Sequence, residues 1–136
     1  MTMTMTRARW LVVLVGIALP YLARLPGGIA WLRQYTHAGL DGALLLGGFN
    51  AIAWGAVLGI SFAYRHAVSV LAPALAGSGA LAWAHATLDL ASDAQAAIAL
   101  VFVPVYALLP IGIGGLVGYA IDRRLQAKKS DIRRMP

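Results

Sequence analysis

His85, Asp89 and Asp93 stand at i, i+4 and i+8 in a chain with few other groups able to handle protons or ions. A helix running through all three would stack them on nearly one face, with Ser78 and Leu81 carrying that face further along the axis. An imidazole beside carboxylates can pass protons or hold a cation, and ionisable groups turned into a membrane bundle often mark ion paths. The plainer alternative ends the helix in water at the two aspartates and leaves His85 hydrogen-bonded to a carboxylate or to a neighbouring helix. Only His85 falls inside the apolar part of the pattern, which favours the plainer alternative.

Asn50 is the one amide set well inside an apolar stretch. It suits either a hydrogen bond across a helix interface or an ion or solute ligand in a cavity, and the small residues beside it favour the interface. His37, Asp41, His85 and Asp89 are suitable metal-ligand types, but their spacing does not demand a metal. Haem ligation is no better supported, because His66 falls at the opposite end of the pattern from His37 and His85. The sequence therefore implies no metal and no cofactor.

Other chemistries are excluded by residue type. With no cysteine there is no disulfide, thiolate nucleophile or Cys-type zinc site, and with no glutamate and five aspartates a carboxylate-rich di-metal site is not expected. No phosphate loop, dinucleotide fingerprint, nucleophile elbow or HExxH pair occurs. An enzyme is not expected.

The elements that must position these residues are membrane helices. Sixty per cent of the 136 residues are hydrophobic and only 12% are charged, too little polar surface to cover a water-soluble globule of this size. Four apolar spans are expected, at about 10–25, 40–64, 68–90 and 94–121, followed by a basic cytoplasmic tail at 122–136. The first has the charged start and short core of a signal peptide. The residues after Tyr21 offer no small-x-small cleavage site, so an uncleaved helix is expected, with Arg24 reaching to the interface. Pro26-Gly27-Gly28 breaks that helix, and the aromatic, amphipathic stretch 29–39 suits a short segment lying in the interface. Pro104 and Pro110 predict a kink in the fourth span.

Small residues recur every four positions along two spans, at Gly47, Ala51, Gly55 and Gly59 and at Ala72, Ala76, Ala80 and Ala84; Gly114 and Gly118 repeat the spacing in the fourth. Such stripes let helix backbones approach closely.

Basic residues collect on the cytoplasmic side of membrane proteins, so the tail (Arg123, Arg124, Lys128, Lys129, Arg133, Arg134) puts the C-terminus inside and four spans put the N-terminus there too. The inner side then holds nine basic residues against Asp122 and Asp131, while Arg24 and Arg33 lie outside with Asp41, Asp89 and Asp93. An outer-face polar cluster of Arg24, Arg33, Asp41, His85, Asp89 and Asp93 is the expectation, with Asn50 and Ser78 as intramembrane polar groups.

The sequence thus predicts an all-α, four-helix protein of the inner (cytoplasmic) membrane with both termini cytoplasmic. The net charge of +6 flanks apolar segments, so the partners expected are the bilayer and anionic lipid at the tail, not nucleic acid. The predicted role is non-enzymatic: an accessory, assembly or immunity-type subunit packing against itself or a larger membrane protein. The alternative is an oligomeric small transporter or channel using Asn50 and the His85/Asp89 face.

Overall fold

The computed structural model describes residues 3–92 and 95–134. Helix α1 (Met5–Leu22) begins where the Thr4 side chain accepts from the Arg7 N–H at 3.3 Å, a serine/threonine-type N-cap. After a 3₁₀ turn at Leu25–Gly27, Gly28 takes φ +82° and starts α2 (Gly28–Thr36); Gly39, at φ +60°, starts α3 (Gly39–Ser61). Both bends need the left-handed region that glycine enters without steric cost. They set off α2 as a separate short helix packed on the 3₁₀ turn, at the stretch expected to lie in the interface. A second 3₁₀ turn (Ala67–Val70) leads into α4 (Leu71–Thr87), and α5 runs from Ala96 to Arg134.

Among the described residues the protein is all-helical, without strands, and four helical stretches are long and apolar enough to cross a membrane: Met5–Thr36, Gly39–Ser61, Ala67–Thr87 and Ala96–Ile132. The third ends earlier than the apolar pattern implies. Leu88 leaves the helix with ψ 112°, so Asp89 lies beyond the helix, ahead of a turn, and does not stack one helical turn above His85. Asp93 lies outside the described residues. Helix α5 continues through Pro104 and Pro110 and through most of the basic tail; at 1.5 Å per residue its 39 residues extend about 58 Å, well beyond the ~30 Å hydrocarbon thickness.

Each helix buries one face. On α3 it is Leu46, Asn50, Ala53, Val57 and Ser61; on α4 it is Pro73, Gly77, Leu81 and His85, spacings of three and four that follow the helical period. Helix α5 packs most extensively on α4 and next on α3, while α1 covers parts of α3 and α4. The α4–α5 contact is backbone-close. A Cβ on Gly114 would come within 2.7–2.9 Å of the Ala72 and Pro73 backbone, and one on Gly118 would strike the Ser69 carbonyl and the Tyr64 ring. These two glycines have no room for a side chain.

The stripe on α3 lies differently. A Cβ on Gly47, Gly55 or Gly59 would meet nothing within 4 Å, so the chain's own helices leave this face open. It sits one residue, about 100° round the helix, from the buried line at Leu46 and Asn50, and two residues from it at Gly55 and Gly59. On α4 the alanines Ala72, Ala76, Ala80 and Ala84 are half-buried, flanking the Pro73–His85 line. Lipid is as apolar as an alanine face, so smallness alone does not decide which face turns inward; a buried amide or hydroxyl does. Asn50 and Ser61 carry that preference on α3.

Candidate functional site

Arg24 follows α1 directly, and the 3₁₀ turn and α2 fold around it until it is 0% exposed. Its Nε donates to the Trp31 carbonyl at 2.9 Å, its Nη1 to the carbonyls of His85 (2.9 Å) and Leu88 (2.8 Å), and its Nη2 to Gln34 Oε1. The guanidinium lies 3.9 Å from the centre of the Tyr35 ring and 4.7 Å from that of Trp31. A buried cation needs compensation. Here it comes from the α4 C-terminus, where the last carbonyls lack intrahelical partners and carry the negative end of the helix dipole. Trp31 Nε1 adds a bond to the Ala86 carbonyl at 3.1 Å, so two side chains serve the same helix end.

From this cation a hydrogen-bonded path runs inward. The Tyr35 hydroxyl and His85 Nδ1 are 2.7 Å apart, with the rings edge-on, and His85 Nε2 lies 3.2 Å from Asn50 Oδ1. The pairing that serves all three groups has Tyr35 donating to Nδ1 and the Nε2–H donating to Asn50. His85 and Asn50 are 0% and 1% exposed, so the path is closed to bulk water. Among the described residues Asn50 Nδ2 has no partner, and neither does Trp54 Nε1 one turn on. Outward, Gln34 links the cation to the acid: its Oε1 accepts from Arg24 and from the Leu90 N–H, and its Nε2 donates to Asp89 Oδ1 at 2.8 Å.

Of the cluster expected at this end, the structure brings part together. Arg24, His85, Asp89 and Asn50 meet by way of Tyr35 and Gln34. Arg33 and Asp41 are exposed, and no ion pair joins Arg24 or Arg33 to Asp41 or Asp89 among the described residues. Ser78 is half-buried on α4, away from the path. Among the described residues no three His, Cys, Asp or Glu side chains are grouped to hold a metal. The signal for Tyr35 and Gln34 was present in the mixed polar and aromatic content of 29–39, but nothing in it specified that the segment folds over Arg24.

The opposite end holds a buried anion. Asp122, placed by the sequence at the start of the polar tail, is 1% exposed. Its Oδ1 accepts from the N–H groups of Arg65 (3.1 Å) and His66 (2.8 Å) and from Ser69 Oγ (3.2 Å), and lies 2.9 Å from His66 Nδ1; its Oδ2 accepts from Gln126. Nearby, Arg9 donates to Ser61 Oγ at 3.0 Å and to the Ser61 carbonyl at 3.3 Å while lying over Phe62, which caps the C-terminus of α3. Tyr64 donates to the Gly115 carbonyl at 2.7 Å, and burial, with the Asp122 carboxylate as a second cause, raises its hydroxyl pKa above the ordinary value. The Asp122 signal is faint: an acid directly after an apolar run, with Gln126 four residues on.

Neither cluster pairs a nucleophile with a free base. Both tie helix ends together. The chain matches no protein-family model, no curated protein and no solved structure.

Proposed function

We propose that this chain is a non-enzymatic, multi-pass protein of the inner membrane, with both termini cytoplasmic, that works as an accessory, assembly or immunity-type subunit by packing a helix face against a membrane partner or a second copy of itself. The observation that carries the proposal is the open face of α3, where Gly47, Gly55 and Gly59 would accept a Cβ without meeting anything within 4 Å. Small residues at this spacing give a partner backbone its closest approach. The internal sites support the same reading. Their polar groups are engaged in holding helices together, and the path from Arg24 to Asn50 is sealed by packing. Orientation follows from the excess of basic residues at the Asp122 end.

The chain contains no cysteine, so single-cysteine variants can be made without background. Ala51→Cys and Gly55→Cys in native membranes are expected to cross-link to one defined partner, while Leu109→Cys on the exposed side of α5 is not. Absence of any adduct from both α3 positions would sink the proposal.

The unpartnered Asn50 amide nitrogen favours one second reading, an oligomeric transporter or channel in which Asn50 and His85 contact the solute. Flux in proteoliposomes under proton, sodium or halide gradients that disappears in Asn50→Ala would promote it. No flux under any of these gradients would retire it.

A further inference from the structure

Helices α1 and α4 do not close on each other along their length. Between them runs an apolar furrow of about 260 Å³, floored by Ala53, Val57, Gly77 and Ile111. Its rims are large and exposed, with Leu11 and Val15 on α1 and Leu71 and Leu75 on α4. The floor is buried and apolar, and the rim residues stand to either side of it. On α1 it reaches from Ala8 to Leu19, about 16 Å at 1.5 Å per residue, which is about half of the ~30 Å hydrocarbon thickness and so the depth of one leaflet.

The lining itself is uncharged, and the nearest free cation to its Ala8 end along α1 is Arg7, one residue before Ala8 and outside the lining. Arg7 lies one helical turn before the rim residue Leu11, on the same side of α1, and its guanidinium has no hydrogen-bond or ion-pair partner among the described residues. Arg9, two residues on, is held by Ser61 and Phe62 and is not available.

We infer that the furrow between α1 and α4 holds one acyl chain of an anionic phospholipid, with the lipid phosphate at Arg7. The chemistry at each part matches. A slot of leaflet depth lined by Leu, Val, Ala and Gly takes a hydrocarbon tail, and a free cation at its interfacial end takes the phosphate. The bound lipid covers the exposed flanks of the furrow, Leu11 and Val15 on one side and Leu71 and Leu75 on the other.

Trp54 lines the furrow and reports on its occupant. The protein purified in detergent is titrated with phosphatidylglycerol brominated along its acyl chain, and with the brominated phosphatidylcholine, while tryptophan fluorescence is followed. Saturable quenching is expected at low lipid with phosphatidylglycerol. The Trp54 share of it, the part missing in Trp54→Phe, is expected to disappear in Ala74→Phe, which fills the slot. Arg7→Gln is expected to weaken phosphatidylglycerol binding about fivefold, the contribution of one basic residue near an anionic surface, and to bring the two lipids level.

Equal quenching of the wild type and Trp54→Phe would overturn the inference, as would equal affinity of the wild type for the two lipids. So would efficient cross-linking of Leu75→Cys to a second copy, because the furrow would then be a protein interface. The wild-type titration decides the matter even where Ala74→Phe fails to fold.

Discussion

The two ends of the bundle solve the same problem with opposite charges. At one end a buried arginine, Arg24, is held by the last carbonyls of α4 and by neutral side chains; at the other a buried aspartate, Asp122, is held by backbone N–H groups and side-chain donors just ahead of α4. Neither depends on a direct Arg–Asp pair. Both charges complement the dipole of one helix, the cation at its negative C-terminus and the anion near its positive N-terminus. What differs is the shielding. The Arg24 end is roofed by α2, whose Trp31, Gln34 and Tyr35 all touch the guanidinium, and it continues inward to His85 and Asn50. The Asp122 end is a compact knot of loop and helix, braced by Arg9 on the end of α3. Helix α4 is therefore the member both ends grip, and its termini depend on residues distant in sequence.

The largest effect is expected at the Arg24 end. Arg24→Met strands the carbonyls of His85, Leu88 and Trp31, so unfolding in mixed micelles is expected to become easier by about 3–5 kcal/mol, the range for removing one partner of a buried charged group. A loss no greater than that of Arg33→Met would break the comparison, because Arg33 is exposed. Asp122→Asn keeps the shape and an acceptor but removes the charge, and a smaller loss of about 2 kcal/mol is expected by the same assay.

Between the two ends, the glycines separate closed from open helix faces. Gly114→Ala forces α5 off the Ala72–Pro73 backbone and is expected to cost about 1–3 kcal/mol, whereas Gly55→Ala is expected to leave the isolated chain within about 0.5 kcal/mol of wild type while weakening the cross-link described above. Tyr35→Phe removes one hydrogen bond to His85 and is expected to cost about 1 kcal/mol or less, in line with single side-chain bonds inside membranes.

The smallest effect is spectroscopic. Tyr64 titrates above the ordinary phenol value, chiefly because it is buried and secondly because of the Asp122 carboxylate. Its bond to the Gly115 carbonyl is therefore fully present below the unfolded phenol pKa and is lost only as pH rises through the higher folded value. Absorbance titration is expected to show a late phenolate step that is missing in Tyr64→Phe and moves to lower pH in Asp122→Asn.

Much of the frame was legible from residue types. The four apolar stretches, the break at Pro26–Gly28 and the close fit expected at Gly114 and Gly118 all rest on local rules: hydrophobic length, proline and glycine geometry, and absence of a side chain. The site was half legible. Arg24, Asn50, His85 and Asp89 stood out as polar groups where polar groups are costly, but their connectors did not, because Tyr35 and Gln34 look like ordinary interface residues until α2 folds back. The helical stack of His85, Asp89 and Asp93 failed at a local point: α4 stops at Thr87, where Arg24 and Trp31 take up its final carbonyls.

By itself, the sequence determined that this chain is helical and membrane-sized, that its chemistry excludes thiols and glutamates, and which few groups must be shielded. These follow from composition and from the cost of placing backbone and charge in hydrocarbon. Only the tertiary structure decided which face of α3 turns inward, that Arg24 and Asp122 grip opposite ends of α4, and that α1 and α4 leave a leaflet-deep furrow between them. Each of these depends on pairing groups far apart in the chain, and a local pattern carries no information about which distant partner satisfies a buried polar atom.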